Sequence, residues 1–342
     1  MKALVLGEDR ALHLAERPVP DTGAAADLVV VRVVQTGICG TDRGVLVGKF
    51  HAEPGVIMGH ESIGVVHAVG SAVRTVAPGD RVVVNPTLYC GWCPACVRGE
   101  LNFCQHKTGN EIGIDRDGGF AEYLAIEERF VFALPADVPD DRAVLIEPLA
   151  CVLNNLDAAG LTPGSRVTVL GAGPIGIVAA MAAAHFGCPV TVLERDEFRR
   201  SRAAEVLKGF APEPEVVSPE TPVARGELVL DTVGNLLAQA CDLAADLGTV
   251  VIMGFHAEAE VSLRPLHILQ RGLRIVGAGD YNSQIFPRAV ALGARLPLER
   301  LVTHRFALDE HEAALRCIGV TEPGYSALKV VIEGRLSAPA TA

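Results

Sequence analysis

The apolar pattern changes character partway along the chain. From Met1 to about Leu145 the apolar positions fall in short β-branched runs, Leu28–Val34, Ile63–Val69 and Arg81–Val84, separated by turns such as Ala77-Pro78-Gly79-Asp80. Such runs, bounded by Gly and Pro, predict strands and a β-rich first domain. Near Leu161-Thr162-Pro163-Gly164 the pattern switches. Arg166–Leu170 reads as a compact strand, followed by a glycine turn and an apolar helical run to about Phe186. Strands are expected at Val190–Leu193, Glu227–Asp231, Thr249–Met253 and Arg274–Val276, with a helix over Leu236–Leu247. Strands alternating with helices imply βαβ units and a parallel, doubly wound α/β sheet. From about Phe286 the chain is mixed, and a helix-like His311–Ile318 and strand-like Ala327–Ile332 are expected to return to the first domain. Only Ala211–Pro222, with four prolines, and the tail Ser337–Ala342 look loose.

The 342 residues suggest about two domains at ~150 residues each. With 49% hydrophobic and 21% charged residues the composition is that of a globular chain, which excludes a disordered one. A net charge of −11 without a long basic run argues against nucleic acid or an anionic membrane as partner. The apolar run at Met1–Leu6 is too short for a signal peptide and is followed at once by Glu8 and Asp9. The longest apolar stretch, around Ile175–Ala184, falls far short of the ~20 residues of a membrane span. A soluble, cytoplasmic protein is expected.

Four of the nine cysteines are crowded into Cys90-x2-Cys93-x2-Cys96-x7-Cys104. In a large chain with no export signal, thiols at such gaps read as metal ligands rather than as a disulfide framework. Four thiolates can close a tetrahedron around a zinc ion that serves folding, not chemistry. Free thiols or an iron–sulfur cluster are the alternatives, the latter fitting this spacing less well.

Gly171-Ala172-Gly173-Pro174-Ile175-Gly176 follows a predicted strand and opens a predicted helix, the context in which a GxGxxG turn receives a dinucleotide pyrophosphate. Glu194 stands at the end of the next strand, where a carboxylate accepts both ribose hydroxyls of NAD and repels a 2′-phosphate. Arg195, Arg199 and Arg200 follow directly and would suit NADP, so NAD is favoured with NADP left open. Val233-Gly234, Gly254-Phe255 and Gly277–Tyr281 stand at the carboxyl ends of later strands, where the nicotinamide is expected.

Three further segments hold zinc-ligand types. Thr36–Asp42 offers the Cys39 thiol with the Thr41 hydroxyl two residues on, Gly59-His60-Glu61 an imidazole beside a carboxylate, and Glu147 a carboxylate in an apolar stretch. Cys, His and Glu make a mixed set that leaves a fourth zinc position open, although each is weak alone.

Taken together, Thr36–Asp42, Gly59-His60-Glu61, Gly79-Asp80-Arg81-Val82, the four-cysteine lobe, Asp117–Tyr123 and Gly171–Gly176 resemble the zinc-dependent medium-chain dehydrogenases. Glu147-Pro148-Leu149 narrows the resemblance to the sorbitol/threonine/sugar (polyol) dehydrogenase branch, in register from Met1 to about Glu333. The resemblance implies two zinc ions per chain. One is catalytic, held by Cys39, His60 and Glu147 with Glu61 as a close, exchanging fourth ligand, and one is structural, held by Cys90, Cys93, Cys96 and Cys104. It makes Thr41 the hydroxyl that meets the substrate oxygen and Asp42 the acid that orients His60. Gly171, Gly173, Pro174, Ile175, Gly176, Glu194, Arg195, Arg199, Val233, Gly254 and Phe255 are the implied cofactor contacts. It further implies a GroES-like catalytic domain over 1–150 with the lobe at about 88–106, a Rossmann domain over 151–285, a return to the catalytic domain over 286–342, and a homodimer or homotetramer. Two positions depart from the family pattern. Gly44 stands where relatives carry an outer proton-relay histidine, leaving His51 as a weak substitute, and Asn154 stands where relatives often have histidine.

The expected reaction is oxidation of a secondary alcohol by hydride transfer to the nicotinamide. Aromatic residues are only 5%, and Arg43, Asp115, Arg116, Asn154 and Asp280 lie in segments expected near the pocket. A hydroxyl-rich substrate follows: a polyol, sugar, cyclitol or aminocyclitol. The alternatives are an NADPH-dependent ketone reductase on the same scaffold, or a non-catalytic NAD- and zinc-binding protein. A zinc-free quinone or enoyl reductase is excluded by the Cys39/His60 pair and the lobe.

Overall fold

The computed structural model describes residues 1–324 and 326–337, so the tail segment 338–342 lies outside the described residues. The chain divides into two compact units, one formed by Met1–Glu147 with the chain from Asn282 onward, the other by Pro148–Tyr281.

The first unit is built on the strand Leu28–Gly37. One edge pairs antiparallel with Glu61–Val69, and the other is shared by Tyr123–Glu127 at its start and Lys329–Glu333 at its end. The sheet runs Val302–Ala307, Lys329–Glu333, Leu28–Gly37, Glu61–Val69, Arg81–Val84, Val131–Ala133. Alternation decides the faces: Val29, Val31 and Val33 point into one core with Val66, Val82, Val84, Leu124 and Phe130. A second core joins the hairpin Lys2–Leu6/Leu12–Glu16 to Ile38, Val45, Met58, Phe120 and Ile332.

The second unit is a six-stranded, all-parallel sheet. Its order is Glu215–Val217, Val190–Leu193, Val167–Leu170, Gly226–Asp231, Ala244–Ile252, Arg274–Gly277. The order reverses beside Val167–Leu170, the point where doubly wound sheets bind ligands. The helix Pro174–His185 that follows is apolar all round and buried from Gly176 to Ala184.

The elements differ from expectation in several places. Ala211–Pro222 carries a short edge strand, Glu215–Val217, with its prolines outside the paired residues, where they cost no ladder bond. The expected helix Leu236–Leu247 stops at Leu243. Ala244 is already extended and begins the strand Ala244–Ile252 beside Gly226–Asp231, so sheet pairing overrides local helix preference. The helices Ile146–Ala159 and Glu197–Leu207 had no assigned counterpart in the hydrophobic pattern. Among the described residues no helix is long and apolar enough to cross a membrane.

Candidate active site

The site begins where strand Leu28–Gly37 leaves the sheet. Cys39 caps the short helix Gly40–Leu46, and its N–H donates to Asp42 Oδ2 (2.8 Å), which buries Asp42 completely behind the turn. Gly37 pairs opposite Glu61, the first residue of Glu61–Val69. That register brings the two chemistry-bearing segments together: Cys39 Sγ, a His60 ring nitrogen and a Glu61 carboxylate oxygen all lie within 4.8 Å of one another. Thr41 Oγ1 is 3.8 Å from Cys39 Sγ.

His60 Nδ1 faces Asp42 Oδ1 at 3.6 Å, and both atoms are buried without a hydrogen-bond partner among the described residues. A ligating histidine commonly gives its second N–H to a carboxylate, and this pair is positioned for it. The electrostatics agree. Burial alone would lower the pKa of His60, but Asp42, Cys39 and Glu147 outweigh it and hold the imidazolium well above the ordinary histidine range. A thiol, an imidazole and a buried carboxylate gathered within 4.8 Å fit a divalent cation. Glu147, buried on the first turn of Ile146–Ala159, contributes to that field without entering the tight cluster.

Sequence reasoning missed one member. Lys329, on the return strand, is 1% exposed; its ammonium pairs with Glu61 Oε2 and donates to the Ile38 carbonyl at 3.0 Å. Burial pulls its pKa down, yet Glu61, Cys39 and Asp42 together raise it above the usual lysine value, so the group stays charged. The available signal was a lysine inside the apolar run Ala327–Ile332.

The departures have structural causes. A Cβ on Gly44 would fall 2.0 Å from Phe50 Cδ2, so the aromatic ring occupies the space of the family's relay side chain. His51 turns outward, with Nε2 3.0 Å from Glu53 Oε1. The expected polar lining is engaged with the chain's own groups. Arg43 donates to the carbonyls of Ile318 and Gly319, Arg116 pairs with Glu127, and Asp115 accepts the Glu111 N–H. Asn154 donates to the Ala278 carbonyl. These contacts give the polar-pocket argument no support.

In the lobe, Cys90, Cys93, Cys96 and Cys104 gather their sulfurs within 4.8 Å, with Cys90–Cys96 at 3.9 Å and Cys93–Cys104 at 4.0 Å. A zinc tetrahedron with bonds of ~2.3 Å needs sulfurs about 3.8 Å apart. Backbone N–H groups of Cys90, Trp92, Cys93 and His106 point at sulfurs, as thiolates require. Amides of Cys96 and Gln105 draw the Cys93 thiol down to about 6, while burial pushes Cys96 up to about 12. A cation is what holds all four as thiolates together.

In the second unit the glycine turn joins Val167–Leu170 to the helix, with Gly173 as N-cap and Pro174 at the first helical position. A Cβ on Gly176 would meet the Gly171 carbonyl oxygen at 2.0 Å, so only glycine permits this closeness. Glu194 is buried and accepts N–H bonds from Ala172 (2.7 Å) and Asp196 (2.8 Å), which fixes its carboxylate beside the turn. Arg200 donates to the carbonyls of Glu194 and Arg195, Arg199 contributes its N–H to the Asp196 cap, and Arg195 is exposed. Asp231, which sequence reasoning passed over, is fully buried and accepts from Val233, Gly234 and Leu236, holding that expected cofactor turn. An acid ending an apolar strand was its only signal. Val233 and Phe255 are exposed at their strand ends, and Gly254 packs directly on the Gly234 backbone.

A Rossmann unit and a β unit with two side-chain groups able to hold a metal ion fit a metal-dependent dehydrogenase class. The comparisons agree. Residues 25–136 match the alcohol dehydrogenase GroES-like domain and residues 174–295 the zinc-binding dehydrogenase domain. D-altritol 5-dehydrogenase of Agrobacterium fabrum is 36% identical, covering 91% of this chain and 94% of the relative. Sorbitol dehydrogenase of Halalkalibacterium halodurans is 31% identical over 97% and 99% of the two chains. A Sinorhizobium meliloti 1021 protein solved with NADP aligns at a TM-score of 0.87 and 33% identity, covering 97% and 98%. The short chain alcohol dehydrogenase of Escherichia coli CFT073, solved with NADH, aligns at 0.87 and 28%, covering 97% and 99%. The chain belongs to the zinc-binding alcohol dehydrogenases, in the polyol dehydrogenase branch of the medium-chain superfamily. It is an alcohol/polyol dehydrogenase.

Proposed function

We propose that this enzyme oxidises a secondary alcohol of a polyol, sugar, cyclitol or aminocyclitol to a ketone, passing the hydride to NAD. The observation that carries the reading is the Cys39–His60–Glu61 cluster with Asp42 behind it and Thr41 beside it. Zinc held by Cys39, His60 and Glu147, with Glu61 close by, would supply Lewis-acid polarisation of the substrate hydroxyl. Thr41 hydrogen-bonds that oxygen and leads its proton outward, and Asp42 fixes the imidazole through Nδ1. Phe50 fills the space beside Gly44, so the proton's next step from Thr41 goes to water. The alcohol loses one hydride to the nicotinamide and one proton to solvent, which balances the reaction.

The fixed carboxylate of Glu194 supports NAD over NADP, since a 2′-phosphate would meet its charge. The hydroxyl-rich class is supported by the altritol and sorbitol dehydrogenases named above. The four thiols of the lobe would hold the second, structural zinc, and they fit the reducing cytoplasm. A homo-oligomer is supported by the strand Arg274–Gly277, which among the described residues has no further strand on its outer edge, and by the helix Pro265–Arg271. That helix buries no residue and leaves Leu266 and Leu269 61% and 77% exposed. Light scattering reads the assembly directly.

The test is reduction of NAD and NADP across polyols, sugars, cyclitols, aminocyclitols and simple alcohols. Turnover confined to hydroxyl-rich compounds with NAD is expected. Turnover only with long apolar alcohols, or only with NADP, would overturn the reading.

A further inference from the structure

Asp231 carries a charge that the reaction as described leaves unused. It ends the strand Gly226–Asp231 in the middle of the parallel sheet, paired with Leu170 on one side and Ile252 on the other. Leu170 leads directly into the glycine turn, so Asp231 stands at the crevice where the strand order reverses. Its side chain is fully buried. Oδ1 accepts the N–H groups of Val233 (3.0 Å) and Gly234 (2.8 Å), and Oδ2 accepts that of Leu236 (2.9 Å). Among the described residues no cation pairs with it. Amide donors satisfy its hydrogen bonds without cancelling its unit charge, and burial keeps solvent from screening that charge.

Charge is segregated along this unit. Glu194 and the arginines Arg195, Arg199, Arg200 and Arg202 mark the half expected to take the adenosine. The other half of a dinucleotide then lies over the carboxyl ends of Gly226–Asp231, Ala244–Ile252 and Arg274–Gly277. From Gly226 to Leu263 the chain has no Lys or Arg, and the turns after these strands add the acids Glu258, Glu260 and Asp280. The nicotinamide is the one part of the cofactor whose charge changes in the reaction: its ring is cationic in NAD and neutral in NADH.

We infer that Asp231 selects the oxidation state of the cofactor, its buried carboxylate attracting the cationic ring of NAD and giving nothing to the neutral ring of NADH. This rests on the NAD reading above. The enzyme thereby loads the oxidised cofactor and releases the reduced one more readily than a chain with a neutral residue at this position. Thr232 supplies the comparison. Its Oγ1 donates to the Leu170 carbonyl at 2.7 Å and so holds the same turn without a charge.

The experiment uses the full-length, metal-loaded protein without alcohol and reads Kd for NAD and for NADH by calorimetry. In Asp231→Asn the ratio Kd(NAD)/Kd(NADH) should rise about tenfold, the scale of one charge–charge interaction in a partly buried site. Thr232→Val should weaken both cofactors to the same extent and leave the ratio at its wild-type value. An unchanged ratio in Asp231→Asn would overturn the inference, because an acid that only caps the turn moves both affinities together. An equal rise of the ratio in Thr232→Val would overturn it as well, since that variant keeps the charge. Where Asp231→Asn does not fold, Asp231→Ser keeps an acceptor at the strand end without a charge. It should give the same rise, and an unchanged ratio there would overturn the inference. Wild-type protein that binds NADP and NADPH but neither NAD nor NADH would overturn the NAD reading instead, and the same ratio taken with NADP and NADPH then decides the role of Asp231.

Discussion

Gly59 offers a measurable link between backbone geometry and metal chemistry. It precedes His60 with φ at +92°, a conformation open to glycine and strained for any other residue. Replacing it with alanine costs roughly 1–2 kcal/mol for the left-handed backbone alone. The new Cβ would also sit 2.6 Å from Cδ1 of Phe120, itself 1% exposed. Overpacking a closed core adds about 1–3 kcal/mol. The segment cannot retreat, because Gly119 N–H holds the Gly59 carbonyl at 2.8 Å and Phe120 N–H holds that of Met58 at 2.9 Å. Gly79 is the control: its φ is +98° and a Cβ there meets nothing within 4 Å. Urea unfolding should therefore show Gly79→Ala losing about 1–2 kcal/mol and Gly59→Ala roughly 2–5 kcal/mol. Only Gly59→Ala should lower catalytic metal content and kcat/KM, since the displacement passes to His60. Equal losses in the two variants, or a destabilised Gly59→Ala that keeps its metal and turnover, would refute the reasoning.

Other outcomes follow from single contacts. In the helix Gly40–Leu46, Gly44→Ala should destabilise because of Phe50. In a Phe50→Ala background the same change should stabilise by up to ~1 kcal/mol, the ordinary alanine advantage in a helix, and thermal denaturation reads the sign reversal. Cys39→Ser should abolish turnover and lose about one zinc per chain while the fold survives, whereas Cys93→Ser should lower the thermal midpoint and folding yield, with metal counted by atomic absorption. Glu194→Gln should weaken NAD binding by about 10–100-fold, the worth of a hydrogen bond to a charged group, and shift preference towards NADP in fluorescence titrations. Unchanged cofactor preference would remove Glu194 from that role.

Features carried by local pattern were legible in the sequence. The glycine turn, the compact cysteine spacing and the strands of the parallel sheet need only a few consecutive residues to be read. Glu215–Val217 and the early end of the helix at Leu243 were not, because both are decided by a neighbouring strand rather than by local preference. The same holds in the site. Cys39 and His60 carry recognisable chemistry, but Lys329 joins them only through the pairing of Lys329–Glu333 with Gln35–Gly37. Arg43 and Arg116 looked like pocket lining because a sequence shows charge but not the carbonyl or carboxylate that takes it up.

The catalytic sheet is interrupted in sequence by the whole of Pro148–Tyr281, and Lys329–Glu333 lies between Leu28–Gly37 and Val302–Ala307. During synthesis the inserted unit emerges as one continuous stretch and can fold on the ribosome. The segment Met1–Glu147 must wait for the later strand Lys329–Glu333. Until the return strand arrives, the end of Leu28–Gly37 has an unpaired edge and Glu61 lacks its counter-charge. A nascent chain can therefore complete its parallel sheet before Glu61 meets Lys329.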